Sequence, residues 1–176
     1  GQVSALVPAL DVLVNNAGIY SRQRRFSADG HELTFAVNYL APVLLTRRLL
    51  PMLAAGGRVV NVASGTHESG RLDLADLELA ADWDAYLAYS NSKLGNVLFS
   101  NALAARHAPA VLCSNAMHPG VIATKLLKVG FGAGGAPLAS GARTSLYVAT
   151  APALAAVTGR YFSDCRERPA SRVAQD

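Results

Sequence analysis

Cysteine is scarce here: Cys113 and Cys165 are the only two among 176 residues. They have neither the density of a disulfide scaffold nor the spacing of a metal site, so the reading is two free thiols in a reducing, cytoplasmic setting, with no bound metal. Also missing is any apolar run of the ~18–20 residues that cross a bilayer. This holds although 51% of the residues are hydrophobic and the mean hydropathy is +0.24. Gly1 to Leu10 carries no basic start ahead of an apolar stretch and no cleavage pattern, which argues against a secretory signal. No repeat, linker or charged low-complexity tail is evident. These absences point away from membrane-spanning, secreted and metal-bound classes.

Charge adds little. The net charge is +4 and the isoelectric point is near 9.3, but the basic residues are scattered. Small groups at Arg22, Arg24, Arg25 and at Arg47, Arg48 read as solvated faces and not as a nucleic-acid surface. At 18.4 kDa the chain fits one domain, since single cores usually run to roughly 100–200 residues.

What is present is an alternation of short β-branched runs with stretches of helical period, the pattern of βαβ units on a parallel sheet. Strands are expected at Asp11 to Asn15, Arg58 to Ala63, Val111 to Ala116 and, more weakly, Arg160 to Phe162. Helices are expected at Gly30 to Ala54, Trp83 to Arg106 and Leu138 to Ala149, the first kinked or broken at Pro42. Gly130 to Gly135 satisfies the spacing Gly-x-Gly-x-x-Gly. It follows a short amphipathic segment, Lys125 to Val129, and not a buried strand, so it reads as part of a surface lid and not as a phosphate-binding turn.

Three polar motifs stand where three apolar strands end, and open α/β sheets bind ligands beyond the carboxyl ends of their strands. The first is Asn15-Asn16-Ala17-Gly18, whose small residues admit a ligand and whose amides can tie neighbouring strands. The second is Ser64, either a helix cap or a hydroxyl for a substrate oxygen. The third is His118-Pro119-Gly120 with Thr124, either a structural turn or a wall for a flat ligand. Tyr89 and Lys93 share a helix face at i and i+4, where an ammonium would favour the phenolate and lower the phenol pKa from its ordinary ~10. His67, His118 and Cys165 read as structural, without metal or triad partners at recognisable spacing. Trp83 and Tyr86 read as helix-start packing ahead of a place at a substrate entrance.

Taken together, Asn15-Asn16-Ala17-Gly18, Asn38, Ser64, Tyr89-Ser90-Asn91-Ser92-Lys93 and Pro119-Gly120 with Thr124 resemble the short-chain dehydrogenase/reductase family in order and spacing. Asn61 to His67, Asp73 to Leu77, Ser92 to Phe99 and Gly159 to Cys165 resemble its retinol-dehydrogenase-like branch, and the likeness covers about Asp11 to Arg168. The resemblance implies the C-terminal half of a Rossmann-type doubly wound parallel sheet, strand order 4-5-6-7 in the family's numbering. It implies an NAD- or NADP-dependent enzyme that interconverts a small apolar carbonyl and an alcohol, compatible with a homo-oligomer and with no nucleic-acid or membrane partner. Tyr89 would be the acid–base, Ser64 the holder of the carbonyl oxygen, Lys93 a ribose ligand that tunes Tyr89, and Asn38 the residue that positions a proton-relay water. Asn15, Ala17 and Gly18 would line the adenosine side of the cofactor. Pro119, Gly120, Val121, Ile122 and Thr124 would line the nicotinamide side.

One family feature, a turn of the form Thr-Gly-x-x-x-Gly-x-Gly, does not occur in these residues. The chain is therefore expected to be a piece of a longer enzyme that binds NAD(P) weakly by itself, with Asp11 to Asn15 as a raw sheet edge. The other reading is a non-catalytic remnant of the family that works through association with another chain.

Overall fold

The structure, a computed structural model, describes residues 2–132 and 134–175. Four strands lie side by side in chain order, all parallel: β1 (Leu10–Asn15), β2 (Leu53–Val62), β3 (Leu112–His118) and β4 (Tyr161–Ser163). A fifth, β5 (Arg166–Arg168), folds back antiparallel on β4. Alternate residues of β2 enter opposite cores, as a period of two requires. Val60 and Val62 pack with Met117, Phe162 and Val148 on one face, while Val59 packs with Leu112, Phe99 and Leu103 on the other. Cover on both faces explains why most of β2 and β3 is buried, their polar residues Asn61, Ser114 and Asn115 included.

The helices are α1 (Gln2–Leu6), α2 (Leu33–Phe35), α3 (Ala41–Leu49), α4 (Ala85–Arg106), α5 (Lys125–Phe131) and α6 (Leu138–Thr150). α4 and α6 supply the two covering layers, through Leu94, Val97 and Phe99 on one side and Val148 and Ala149 on the other. Asp84 starts α4 by accepting the Leu87 N–H at 2.7 Å. Arg58 ends α6 by donating to the carbonyls of Val148 and Ala151.

Several sequence expectations need correction. The segment Gly30 to Ala54 is not one helix: α2 passes into a π-helical turn at Ala36–Leu40, then α3, then a 3-10 turn at Leu50–Met52, and Leu53 and Ala54 already belong to β2. Pro42 is the physical reason for part of this, since it has no N–H to offer the carbonyl of Asn38 four residues earlier. β2 begins at Leu53 and not Arg58, and α4 begins at Ala85 and not Trp83. β3 runs on to His118, and the sheet gains the antiparallel β5. In Gly130 to Gly135, α5 ends on Gly132 at φ +62, and Gly135 packs against the backbone of residues 121–123; Ala133 lies outside the described residues. No strand feeds this stretch directly, which agrees with its reading as a surface segment.

Candidate active site

The loops and turns at the carboxyl ends of β1, β2 and β3 meet the middle of α4, and the residues singled out in the sequence gather there. α4 buries both Tyr89 and Lys93, at 5% and 3% exposure. The Lys93 Nζ donates to the Val62 carbonyl at 2.9 Å, at the end of β2, and lies 5.7 Å from the centroid of the Tyr89 ring. Ser64, two residues beyond β2, has two jobs. Its Oγ accepts the Thr66 N–H at 3.3 Å and so caps the 3-10 turn Gly65–Ser69, and its hydroxyl lies beside the Tyr89 phenol, where it pulls the phenol pKa down. Capping and a place at the site are compatible because a hydroxyl that accepts one bond can still donate another.

Burial outweighs the pull of Ser64 and pushes Tyr89 above its ordinary 10.0. Lys93 does not offset this: its ammonium donates to the Val62 carbonyl and lies over the Tyr89 ring, while desolvation of the phenolate dominates. Burial likewise lowers Lys93 to about 8.

Asn38 is wholly buried in the π-helical turn. Its Oδ1 accepts the Ile19 N–H at 2.8 Å, and its Nδ2 donates to the Ile19 carbonyl and to Ser92 Oγ, both at 3.0 Å. The side chain therefore fastens the loop after β1 to α4. Both of its N–H donors and one lone pair of its oxygen go to protein partners.

Asn15 is also turned inward. Its Nδ2 donates to Asn61 Oδ1 at 2.8 Å and to Thr46 Oγ1 at 3.0 Å, and its Oδ1 has no partner. Asn61 continues to Ser114 and Ser114 to Ser100, so a polar ladder crosses three strands beneath the site. Ala17 is exposed and Gly18 is half-buried. A Cβ on Gly18 would come 3.3 Å from Lys93 Nζ and 3.5 Å from Asn38 Oδ1, so a side chain there would crowd the lysine. Beyond β3, Gly120 takes φ +92, which needs glycine, while Ile122 is buried and Val121 is 58% exposed. Thr124 caps α5, its Oγ1 accepting the Leu127 N–H at 3.1 Å.

An aromatic group closes over the phenol. Tyr20, after β1, stands 5.4 Å from Tyr89 and 5.3 Å from Phe131 at the end of α5, and Phe131 also approaches Tyr86 and Tyr89. Arg22 ties the same helix down by donating to the Val129 carbonyl at 2.6 Å. Trp83 packs at the start of α4, its Nε1–H donating to buried Glu32 at 3.3 Å. Sequence reasoning quoted Asn61 and Ser92 only as motif residues and did not single out Tyr20 or Phe131, while its structural reading of His67 and His118 agrees with the backbone hydrogen bonds that both rings make.

A parallel sheet with a Tyr–Lys helix crossing the serine-bearing strand end is a family arrangement, and sequence comparison identifies the family. The short chain dehydrogenase model matches residues 1–130. The chain belongs to that family. It is 36% identical to retinol dehydrogenase 14 of Mus musculus, over 96% of this chain and 55% of that protein. It is 38% identical to retinol dehydrogenase 12 of Homo sapiens (89% and 53%) and to polyprenol dehydrogenase of Mus musculus (98% and 57%). The chain spans about half the length of the curated relatives it matches. Among solved structures, a protein from Mycobacterium paratuberculosis is 33% identical with a TM-score of 0.77, over 99% of this chain and 64% of that one. A short chain dehydrogenase from Burkholderia cenocepacia, solved with NADP, is 22% identical with a TM-score of 0.70, over 92% and 66%, a likeness of fold. Both cysteines are free, no described helix is long and apolar enough to cross a membrane, and no metal-binding cluster occurs among the described residues.

Proposed function

We propose that this protein is an NAD(P)-dependent oxidoreductase that interconverts an apolar carbonyl and its alcohol, with Tyr89 and Ser64 on the reacting oxygen. The observation that carries the reading is the burial of Tyr89 and Lys93 together against the end of β2, with Lys93 on the Val62 carbonyl and over the Tyr89 ring and Ser64 near enough to pull on the phenol. Two O–H groups converging from rigid elements suit a carbonyl oxygen that gains negative charge as it is reduced. The raised pKa of Tyr89 keeps its proton in place at neutral pH, ready for transfer to that oxygen.

The donor set also fits a nicotinamide cofactor. Lys93 has three N–H groups and spends one on Val62, leaving two for ribose hydroxyls, and Gly18 leaves room beside it. Residues 119 to 122 and Thr124 would flank the nicotinamide, and Ala17 with Gly18 the adenosine side. When bound, the cofactor supplies or takes up the hydride. Asn38 would act here by holding the Ile19 loop and Ser92 in register. Asn15 would act by tying β1 to β2 beneath the site and not by direct contact, since its donors are already used. An apolar substrate is favoured by Tyr20, Tyr86 and Phe131 around the phenol, and by relatives named for retinol and polyprenol.

Steady-state assays of the full-length protein with NADH or NADPH and apolar aldehydes test this. Tyr89→Phe should lower kcat by about 10²–10⁴, the usual yield of positioned acid–base catalysis, with cofactor affinity nearly unchanged. Undiminished turnover in that variant would refute the assignment.

A further inference from the structure

Ser64 is held by more than its cap. Its carbonyl and the N–H of Gly65 are the two ends of one peptide group, and an imidazole grips each. His67, wholly buried in the turn Gly65–Ser69, places Nδ1 2.7 Å from the Ser64 carbonyl. His118, at the end of β3, places Nδ1 3.2 Å from the Gly65 nitrogen, whose N–H donates to it.

The partners fix the protons. A carbonyl only accepts, so His67 Nδ1 carries a hydrogen. The Ser171 N–H donates to His67 Nε2 at 3.0 Å, so that nitrogen carries none. His118 is the reverse, with its Nδ1 lone pair committed to Gly65 and its proton on Nε2. Burial, with His67 nearby, holds His118 below its ordinary 6.5 against the opposing pull of Glu68, which keeps that lone pair available. Both rings are themselves braced. His67 packs 4.6 Å from Tyr161 of β4, and the His118 ring lies where a Cβ on Gly65 would touch it at 3.7–4.0 Å.

We propose that His67 and His118 are positioning residues that clamp the Ser64–Gly65 peptide between opposite imidazole tautomers and so aim the Ser64 hydroxyl at Tyr89. The proposal rests on the oxidoreductase reading for its catalytic consequence, but not for the clamp itself. A peptide plane gripped at both ends cannot turn about the Ser64 Cα–C bond, which holds in place the turn whose Thr66 N–H the Ser64 hydroxyl caps, so the hydroxyl keeps its position without reorganising during the reaction. Through Ser171, the clamp also couples the segment after β5 to the serine.

Two measurements separate the clamp from the chemistry. Nitrogen-15 spectra of the imidazoles at neutral pH should report the Nδ1–H form for His67 and the Nε2–H form for His118. The same tautomer in both rings, or a protonated ring, would overturn the proposal whether or not the protein has activity. Hydrogen exchange and kinetics of variants then follow. His118→Ala should speed exchange of the Gly65 amide at least about tenfold while β2 amides stay protected, the latter confirming the fold. In full-length protein it should lower kcat about tenfold with little change in KM or cofactor affinity. His118→Asn, whose Oδ1 reaches the position of Nδ1, should restore both readouts, and His118→Gln should not. Equal loss in Asn and Gln variants would make His118 a space-filler. Wild-type protein without turnover would sink the oxidoreductase reading but leave the tautomer and exchange results to decide the clamp.

Discussion

Asp164 and Cys165 sit at φ 50 and 54, the left-handed region that side chains other than glycine rarely enter. Together they turn the chain from β4 into β5, a two-residue hairpin with positive φ at both positions, where the second residue is usually glycine. Cys165 gains only a distant hydroxyl contact there, 3.9 Å to Thr144, and the backbone bond from its N–H to Thr144 would survive loss of the side chain. Relief of left-handed strain, of order 1–2 kcal/mol, should exceed the extra chain entropy of glycine. Cys165→Gly should therefore raise unfolding free energy by about 0.5–1 kcal/mol, read as a higher Tm. A lower Tm would mean that the thiol packing outweighs the strain. The sequence foresaw the strand before this turn but not the return strand β5. Nor did it foresee the strain, because a φ angle is set by the strands the turn must join.

Among the elements, α4 carries the most information and meets the tightest constraint. It crosses the π-helical turn at Gly95, where a Cβ would stand 2.7 Å from the Tyr39 ring. Tyr39 stacks on Phe35 at 5.2 Å, so it cannot retreat without disturbing α2. Gly95→Ala should cost about 1–3 kcal/mol through overpacking, despite the better helix propensity of alanine. Urea unfolding should show a lower midpoint at unchanged slope. An unchanged midpoint would show that Tyr39 swings free. The helical spacing of Tyr89 and Lys93 was legible because i and i+4 share a face in any α-helix. The interruption at Ala36–Leu40 was only half legible: Pro42 announces a break, but the register shift there also depends on Asn38 binding Ile19 and Ser92, 19 and 54 residues away.

The whole molecule is marked by a buried cation. Lys93 falls from 10.5 to about 8 because folding removes it from water, at 3% exposure. Between about pH 8 and 10.5 the unfolded chain therefore binds the extra proton, and raising pH through that window favours the fold. At roughly 1.4 kcal/mol per pKa unit, the gain is on the order of 3 kcal/mol. Tyr89, Tyr161 and Cys113 are shifted upward and act in the opposite sense as pH rises past their ordinary values, so the difference between wild type and Lys93→Met isolates the lysine. Unfolding measured from pH 7 to 10.5 should show the wild type gaining on the variant, and parallel curves would show that Lys93 keeps its charge without penalty. By itself the sequence determined the alternation of strands and helices behind a parallel sheet and the residue types at the strands' carboxyl ends, because periodicity and strand-end punctuation are local, while the order of the strands came from the family resemblance. Tertiary structure alone decided that burial raises Tyr89 against any help from Lys93, that the amide donors of Asn15 and Asn38 are spent inside the protein, and that two histidines 51 residues apart hold one peptide. Desolvation and hydrogen-bond partnership depend on which distant segments pack together, and no local pattern records that.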